Sequence, residues 1–287
     1  MKRLEITEII FKILSYVLIT ALVLVTLYPF IYSFSMAISL RQPVEQGLIT
    51  LLPNGFQMKA ISEILFGSFA KAFWKSYTNT LFYTLYGTVF SIGLSIFAAF
   101  ALSRRNLIGK SQIQFLIVFT MWFSAGTIPT FLNFQELYIN NRWGIIVGFG
   151  LQAFNIMLLR NYFNSIHREI EEAAYVEGAN SFQILTKIYI PMSKSAIATV
   201  TLFYALNRWN GYFWNRQLVL GDEHPLQVVL RSLIEQAQNG ELVGSANYAK
   251  DSLVFSAIIF SIIPIIIIYP FIQKYFAQGV NVGGVKE

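Results

Sequence analysis

The run from Ile13 to Met36 limits this chain more than any other feature, because it carries no charged residue and is long enough to cross a bilayer as a helix. A helix needs roughly 20 apolar residues for that, at about 1.5 Å of rise per residue. Lys2 and Arg3 precede the run as in a signal peptide. The apolar core exceeds the usual h-region of roughly 7–15 residues, however, and no small-x-small cleavage site follows, so an uncleaved helix is expected. Five further apolar stretches lie at 76–102, 115–134, 143–159, 195–215 and 253–272. None alternates apolar with polar residues as barrel strands do. The sequence therefore predicts an all-α integral membrane protein of about six transmembrane helices, at 13–36, 76–102, 115–134, 143–159, 195–215 and 253–272. These would form a single transmembrane domain over 1–287.

Composition agrees and removes several function classes. Only 13% of residues are charged, against about 25% in a soluble domain. Cysteine is absent, and the two histidines, His167 and His224, are far apart, so no thiol chemistry, Cys-based metal site or His-rich metal site is expected. No nucleophile–base–acid set lies in or near the helices, which predicts no catalytic residues. The net charge of +6 is scattered between apolar blocks, as membrane flanks rather than a nucleic-acid surface. With the amino terminus placed in the cytoplasm, twelve of the 21 Lys and Arg residues fall on the inner side, with Arg104, Arg105 and Lys110 clustered in one short loop. Both termini are then cytoplasmic.

The segment 160–194, RNYFNSIHREIEEAAYVEGANSFQILTKIYIPMSK, is too organised for a linker. Glu169 to Val176 are helix formers with acidic residues in the first turn. Gly178 is placed to terminate that helix, and Asn180 or Ser181 to cap the next. Phe182, Leu185 and Ile188 have the spacing of one apolar face, and Pro191 is expected to end the second helix. The residues alone leave two readings open: an amphipathic interfacial hairpin, or a docking surface for a cytoplasmic partner.

Glu172-Ala173-Ala174, Gly178 and Ile188-Tyr189-Ile190-Pro191 resemble the EAA loop of ABC-importer permeases, E-A-A-x-x-x-G followed by I-x-L-P. Glu177, Ile190 and Ser195 depart from the frequent Asp, Leu and Pro of that pattern. Phe97-Ala98-Ala99-Phe100-Ala101-Leu102-Ser103-Arg104-Arg105, Leu159-Arg160-Asn161-Tyr162-Phe163, Trp209-Asn210 and the tail Gln273–Gly279 are similar to the carbohydrate-uptake, maltose-permease-like branch. Pro225-Leu226-Gln227 with Leu230-Arg231 resembles its complex-oligosaccharide subgroup. The resemblance covers nearly the whole chain. It implies a type I ABC-importer permease whose segment 160–194 is a cytoplasmic coupling helix-turn-helix. Glu172, Ala173, Ala174, Gly178, Ile188 and Pro191 would then couple to the ATPase. It also implies a second, non-identical permease subunit, two ABC ATPase subunits, an extracytoplasmic solute-binding protein and a location in the bacterial inner membrane. This chain would bind no cofactor, with ATP-Mg held on the ATPase partners. Gly109-Lys110-Ser111 is no phosphate-binding loop, since Arg104 stands where that motif needs its first glycine.

The fifth stretch carries Asn207, Arg208, Trp209, Asn210, Tyr212 and Trp214. Polar groups in hydrocarbon are costly and tend to face a cavity or a partner, and amides beside aromatic faces suit a sugar. The same residues also suit an aromatic belt, with Arg208 snorkelling to the outer interface. A cationic Arg208 or Arg216 facing a cavity would suit an acidic oligosaccharide such as a uronate. Gly144 and Gly148 form a G-x-x-x-G pattern read as packing alone. Two other functions remain open: an importer for a non-sugar solute, and a self-sufficient secondary transporter, which the lack of Asp or Glu inside the six stretches disfavours.

Overall fold

The computed structural model of the protein describes residues 6–280 apart from 243, 245 and 246. Of the twelve basic residues expected on the inner side, Lys2, Arg3 and Lys286 lie outside the described residues, as does the side chain of Lys274, and so do the side chains of the tail 275–279. In chain order, α1 spans Ile6–Ile38, α2 Arg41–Glu45, α3 Lys59–Phe66, α4 Ala70–Ser103, α5 Lys110–Trp122 and α6 Thr127–Glu136. Then come α7 Arg142–Gly148, α8 Ala153–Asn164, α9 Arg168–Val176 and α10 Ser181–Ile184. A π-helical turn at Leu185–Tyr189 leads into α11 Ile190–Met192, followed by α12 Lys194–Trp209, α13 Phe213–Leu218, α14 Leu226–Gln238 and α15 Lys250–Val280. The described residues hold no strand.

Among them, three helices are long and apolar enough to cross a membrane: α1, α4 and the Lys250–Pro270 part of α15. The number becomes five if each of two bent pairs is one span. The third expected span, 115–134, is such a pair, α5 and α6, bent by 117°. Gly126 takes φ +85, a conformation that stops a helix of L-residues. Pro129 then falls in the first turn of α6, where its missing N–H has no intrahelical partner to lose. The fourth, 143–159, is α7 and α8, bent by 44°. Gly150 lies at this break, and a Cβ there would come within 2.6 Å of the Phe90 ring. The fifth, 195–215, is continuous only to Trp209 and resumes as α13 beyond Tyr212. The first, second and sixth spans are unbroken helices that run past their expected ends. Pro264 and Pro270 lie inside α15 without interrupting it.

The described residues fall into two compact units: the chain up to Trp74 with Leu230–Pro264, and Lys75–Val229 with the chain from Ile265 on. In the first unit, the C-terminal turn of α1 is buried at Met36, Ala37 and Ile38. Met36 packs with Val44, Ile49 and Ala249, and Tyr32 meets Phe255 edge-on at 5.5 Å between centroids. The turn at 53–55 is closed by Gly55 at φ +73, and Asn54 N donates to Ser39 Oγ at 3.0 Å. The most apolar stretch of α1 buries nothing against the rest of the chain, as suits a helix that gives its surface to lipid or to another subunit.

In the second unit, one core gathers Ala99, Phe100, Leu159, Phe163, Ile184, Leu185, Tyr189, Ala196, Val200 and Tyr204. It ties α4, α8, the α10–α11 segment and α12 together. A second core joins Tyr83, Phe134, Ile145, Ile146, Leu218 and Val219. The glycine pair acts there by close packing: a Cβ on Gly144 would collide with the Ile139 carbonyl, and one on Gly148 with the Phe134 ring.

Candidate functional site

The hairpin α9–α11 is built as its sequence requires, with two exceptions. Helix α9 opens on acidic residues, Glu169 and Glu171, in its first turn, which favours the positive end of the helix dipole. Gly178 takes φ +84 and a Cβ there would meet nothing within 4 Å, so the glycine is needed for backbone conformation alone. Asn180 caps α10 in a full capping box, with Gln183 N donating to Asn180 Oδ1 and Asn180 N to Gln183 Oε1, both at 2.9 Å.

The first exception is Pro191, expected to end the second helix. The chain stays helical through it to Met192, because the turn before it is π-helical and closes with Ile190 N on Leu185 O. That wider turn makes room for a ring that would clash in a regular α-helix. The second exception is the apolar face. Ile184, Leu185 and Tyr189 are buried and Ile188 packs beside them, while Phe182 is exposed. Placing the π-turn after Ile184 rotates the later residues relative to a constant 3.6 period, so the 182/185/188 spacing does not mark one face.

Of the predicted coupling residues, Glu172, Ala173, Gly178 and Pro191 are exposed, Ala174 is half-buried against the core and Ile188 is half-buried within it. The structure adds residues that the sequence reading did not assign to this role. Arg104, from the end of α4, pairs with Glu171 at 2.5 Å. Tyr189 Oη donates to the other Glu171 oxygen at 2.5 Å, and Arg104 Nη2 donates to Tyr175 Oη. The guanidinium also lies 4.8 Å from the Phe100 ring centroid. Burial, and then the bond to the Glu171 carboxylate, push the Tyr189 hydroxyl up to about 12. The acidic doublet Glu171-Glu172 divides its work: Glu171 faces inward and fixes α9 to α4, while Glu172 faces out.

The second site lies where the fourth and fifth spans break. A cavity of about 390 Å³ is lined by Asn207, Arg208, Tyr212 and Trp214, together with Gln152 and Phe149. Trp214 and Phe149 present their rings 5.2 Å apart. Two of the six predicted pathway residues do not line it. Trp209 is buried and meets Tyr77 edge-on at 6.0 Å, and Asn210 is exposed outside it. Arg208 is 6% exposed and its charge is committed: it donates to Ile145 O at 2.8 Å, Ile146 O at 3.1 Å and Phe149 O at 2.8 Å. These carbonyls end α7, where the ladder stops. One turn earlier on α12, Tyr204 Oη accepts from Gln152 N at 3.2 Å and pairs with Ser95 Oγ at 2.7 Å. Two side chains at i and i+4 of α12 thus satisfy backbone groups that the break in the fourth span sets free, Gln152 N and the Ile146 and Phe149 carbonyls, while Ile145 O also keeps its bond from Phe149 N. Arg216, on α13, donates to Tyr212 Oη at 2.6 Å.

Comparison with known proteins agrees with this architecture. The family model described as "Binding-protein-dependent transport system inner membrane component" matches residues 63–282. The chain is 35% identical over 285 residues to the polygalacturonan/rhamnogalacturonan transport system permease protein YtcP of Bacillus subtilis, covering 96% of this chain and 98% of that one. It is 30% identical to protein LplC of the same organism, over 91% of this chain and 90% of that one. A chain of the crystal structure of a bacterial ABC transporter involved in the import of the acidic polysaccharide alginate superposes with a TM-score of 0.87 at 44% identity. That match covers 96% of this chain and 100% of the other. This chain belongs to the binding-protein-dependent transport system inner membrane component family.

Proposed function

We propose that this chain is the permease subunit of an ATP-driven importer and forms half of the pathway for an acidic oligosaccharide of the polyuronate type. The observation that carries the reading is the 390 Å³ cavity at the two helix breaks, where the Trp214 and Phe149 rings stand beside the amides of Asn207 and Gln152. Aromatic faces with hydrogen-bonding amides fit a sugar ring. The acidic preference is supported by the similarity to permeases of polygalacturonan and alginate systems. In this reading Arg208 does not read the carboxylate, because it is buried and three of its N–H donors go to backbone carbonyls. Arg216, whose Nη1 donates to the hydroxyl of the cavity-lining Tyr212, takes that task in the same reading.

In this reading the exposed edge of the hairpin, with Glu172, Ala173 and Gly178, docks on a cytoplasmic ATPase subunit. The inward edge, through Glu171, Arg104 and Tyr189, passes its motion to α4 and to the core around α8 and α12. Both termini and the hairpin are cytoplasmic. ATP and Mg²⁺ bind to two ATPase subunits, a second permease completes the pathway and an extracytoplasmic binding protein delivers the sugar. Uptake by the reconstituted importer of a labelled oligogalacturonide and of a neutral oligosaccharide of equal length tests this. Arg216→Gln is expected to lower uptake of the acidic sugar about tenfold, one strong charge-assisted contact's worth, with little change for the neutral one. Equal loss for both sugars, or transport of neither by the unmodified importer, refutes it.

A further inference from the structure

A second cavity, larger than the sugar-like one, lies beside the hairpin. This cavity, of about 610 Å³, opens between the turn after α4, the C-terminal end of α8 and the start of α9. Five cationic side chains line it, Arg104, Arg105, Lys110, Arg160 and Arg168, against two carboxylates, Glu171 and Glu172. Glu171 is already spent on Arg104. Lys110 Nζ is held by the Arg104 carbonyl at 2.9 Å, which points it into the group rather than away. Arg160 Nη2 reaches Gln114 Oε1 at 3.3 Å, but its Nε is buried with no hydrogen-bond partner among the described residues. Cations gathered at this density repel one another, and a buried guanidinium N–H left unbonded is costly. Both costs fall when an anion enters.

The surroundings indicate how that anion is presented. The cavity lies where two apolar helices, α4 and α5, meet in a short turn. Ile108, in that turn between Arg105 and Lys110, is 94% exposed, and Phe97 and Phe115 are exposed on the two helices. Cationic groups therefore abut bare apolar surface, the pattern that suits an anionic amphiphile with its head among the cations and its chains along the helices. We infer that this cavity binds a phosphate group, presented by an anionic phospholipid headgroup or by a soluble phosphate compound, and that this fixes the hairpin to the end of α4. Arg105, Arg160 and Arg168 are the residues that hold it.

The test uses the full chain co-expressed with its partner subunits and placed in nanodiscs of phosphatidylcholine with or without phosphatidylglycerol. Thermal unfolding of the permease is followed, and a parallel arm adds inorganic phosphate at matched ionic strength. Phosphatidylglycerol is expected to raise the midpoint by several degrees, and the double variant Arg105→Gln/Arg168→Gln to lose most of that rise while folding normally in phosphatidylcholine. A rise with phosphatidylglycerol alone assigns the source to lipid, and a rise with phosphate as well assigns it to a soluble ligand. No rise with either overturns the inference, as does a double variant that responds like the unmodified protein. A double variant that keeps the lipid response but sheds its ATPase also overturns it, because the cluster would then be a protein-docking surface.

Discussion

Arg208→Met separates the two readings of the arginine in the fifth span. The methionine fills similar length but offers no donor, so the carbonyls of Ile146 and Phe149 lose their partner, while Ile145 O keeps its bond from Phe149 N at 3.3 Å. Hydrogen bonds from a charged donor contribute roughly 1.5–3 kcal/mol each. The three share one guanidinium and do not add independently. Each neutral buried carbonyl left without a donor costs roughly 1–3 kcal/mol, so with two stranded we expect a loss of about 2–4 kcal/mol. Arg208→Lys keeps the charge but reaches one carbonyl where the fork reaches three, so it should recover less than half of the loss. Gly87→Ala provides an independent check, because a Cβ there would stand 2.8 Å from Arg208 Nε and 3.1 Å from its Cδ. It should reproduce part of the loss without removing any hydrogen-bonding group. The assay is detergent-induced or thermal unfolding of the purified permease, read alongside uptake of acidic and neutral oligosaccharides. A structural arginine lowers stability and both uptake rates. A variant as stable as the parent that selectively fails with the acidic sugar would refute the capping argument and return Arg208 to the substrate path.

Three further outcomes follow from the hairpin and the cavity. Gly178→Ala should cost about 1–2 kcal/mol through its left-handed backbone alone, with Gly178→Asn milder because Asn tolerates that conformation; ATPase activity stimulated by the binding protein should rank Gly, Asn, Ala, and a reversed order would show that the turn is not the constraint. Tyr189 is held protonated in the folded state, its hydroxyl moved from 10.0 up to about 12 by burial and then by Glu171. The stability it contributes is therefore full below pH 10 and lost as pH rises toward 12, and Tyr189→Phe should remove that alkaline component of the unfolding profile while leaving the neutral-pH fold intact. Trp214→Ala should raise the half-saturation for sugar about tenfold or more by removing one ring of the Trp214–Phe149 pair; an unchanged value would place the sugar elsewhere.

The parts of this fold legible in the sequence were those set by a single segment. An uncharged run such as Ile13–Met36 must become a helix in lipid whatever surrounds it, and Gly178 and Asn180 act through their own backbone. The broken spans were less legible, because hydropathy is blind to a change of direction. Gly150 lies at a break that holds because Tyr204 and Arg208, from another helix, take up the freed backbone groups. Arg208 shows why. Read along its own helix, an arginine among aromatics is equally a substrate contact or an interfacial anchor. Its role is decided by three carbonyls more than 50 residues away in sequence, at the end of α7. The same holds for Glu171 and Glu172, adjacent and chemically identical, of which only Glu171 points at the arginine that ends α4. One residue step, about 100° around the helix, separates the face that builds the permease from the face left open to a partner, and side-chain spacing alone does not say which carboxylate is which. The π-turn at Leu185–Tyr189 makes this sharper. It shifts the register that a constant 3.6 period would assign, and it buries Tyr189 where its hydroxyl meets Glu171. The departure from regular helix geometry is thus what lets one short hairpin hold on to the bundle and still present Glu172, Ala173 and Gly178 to solvent.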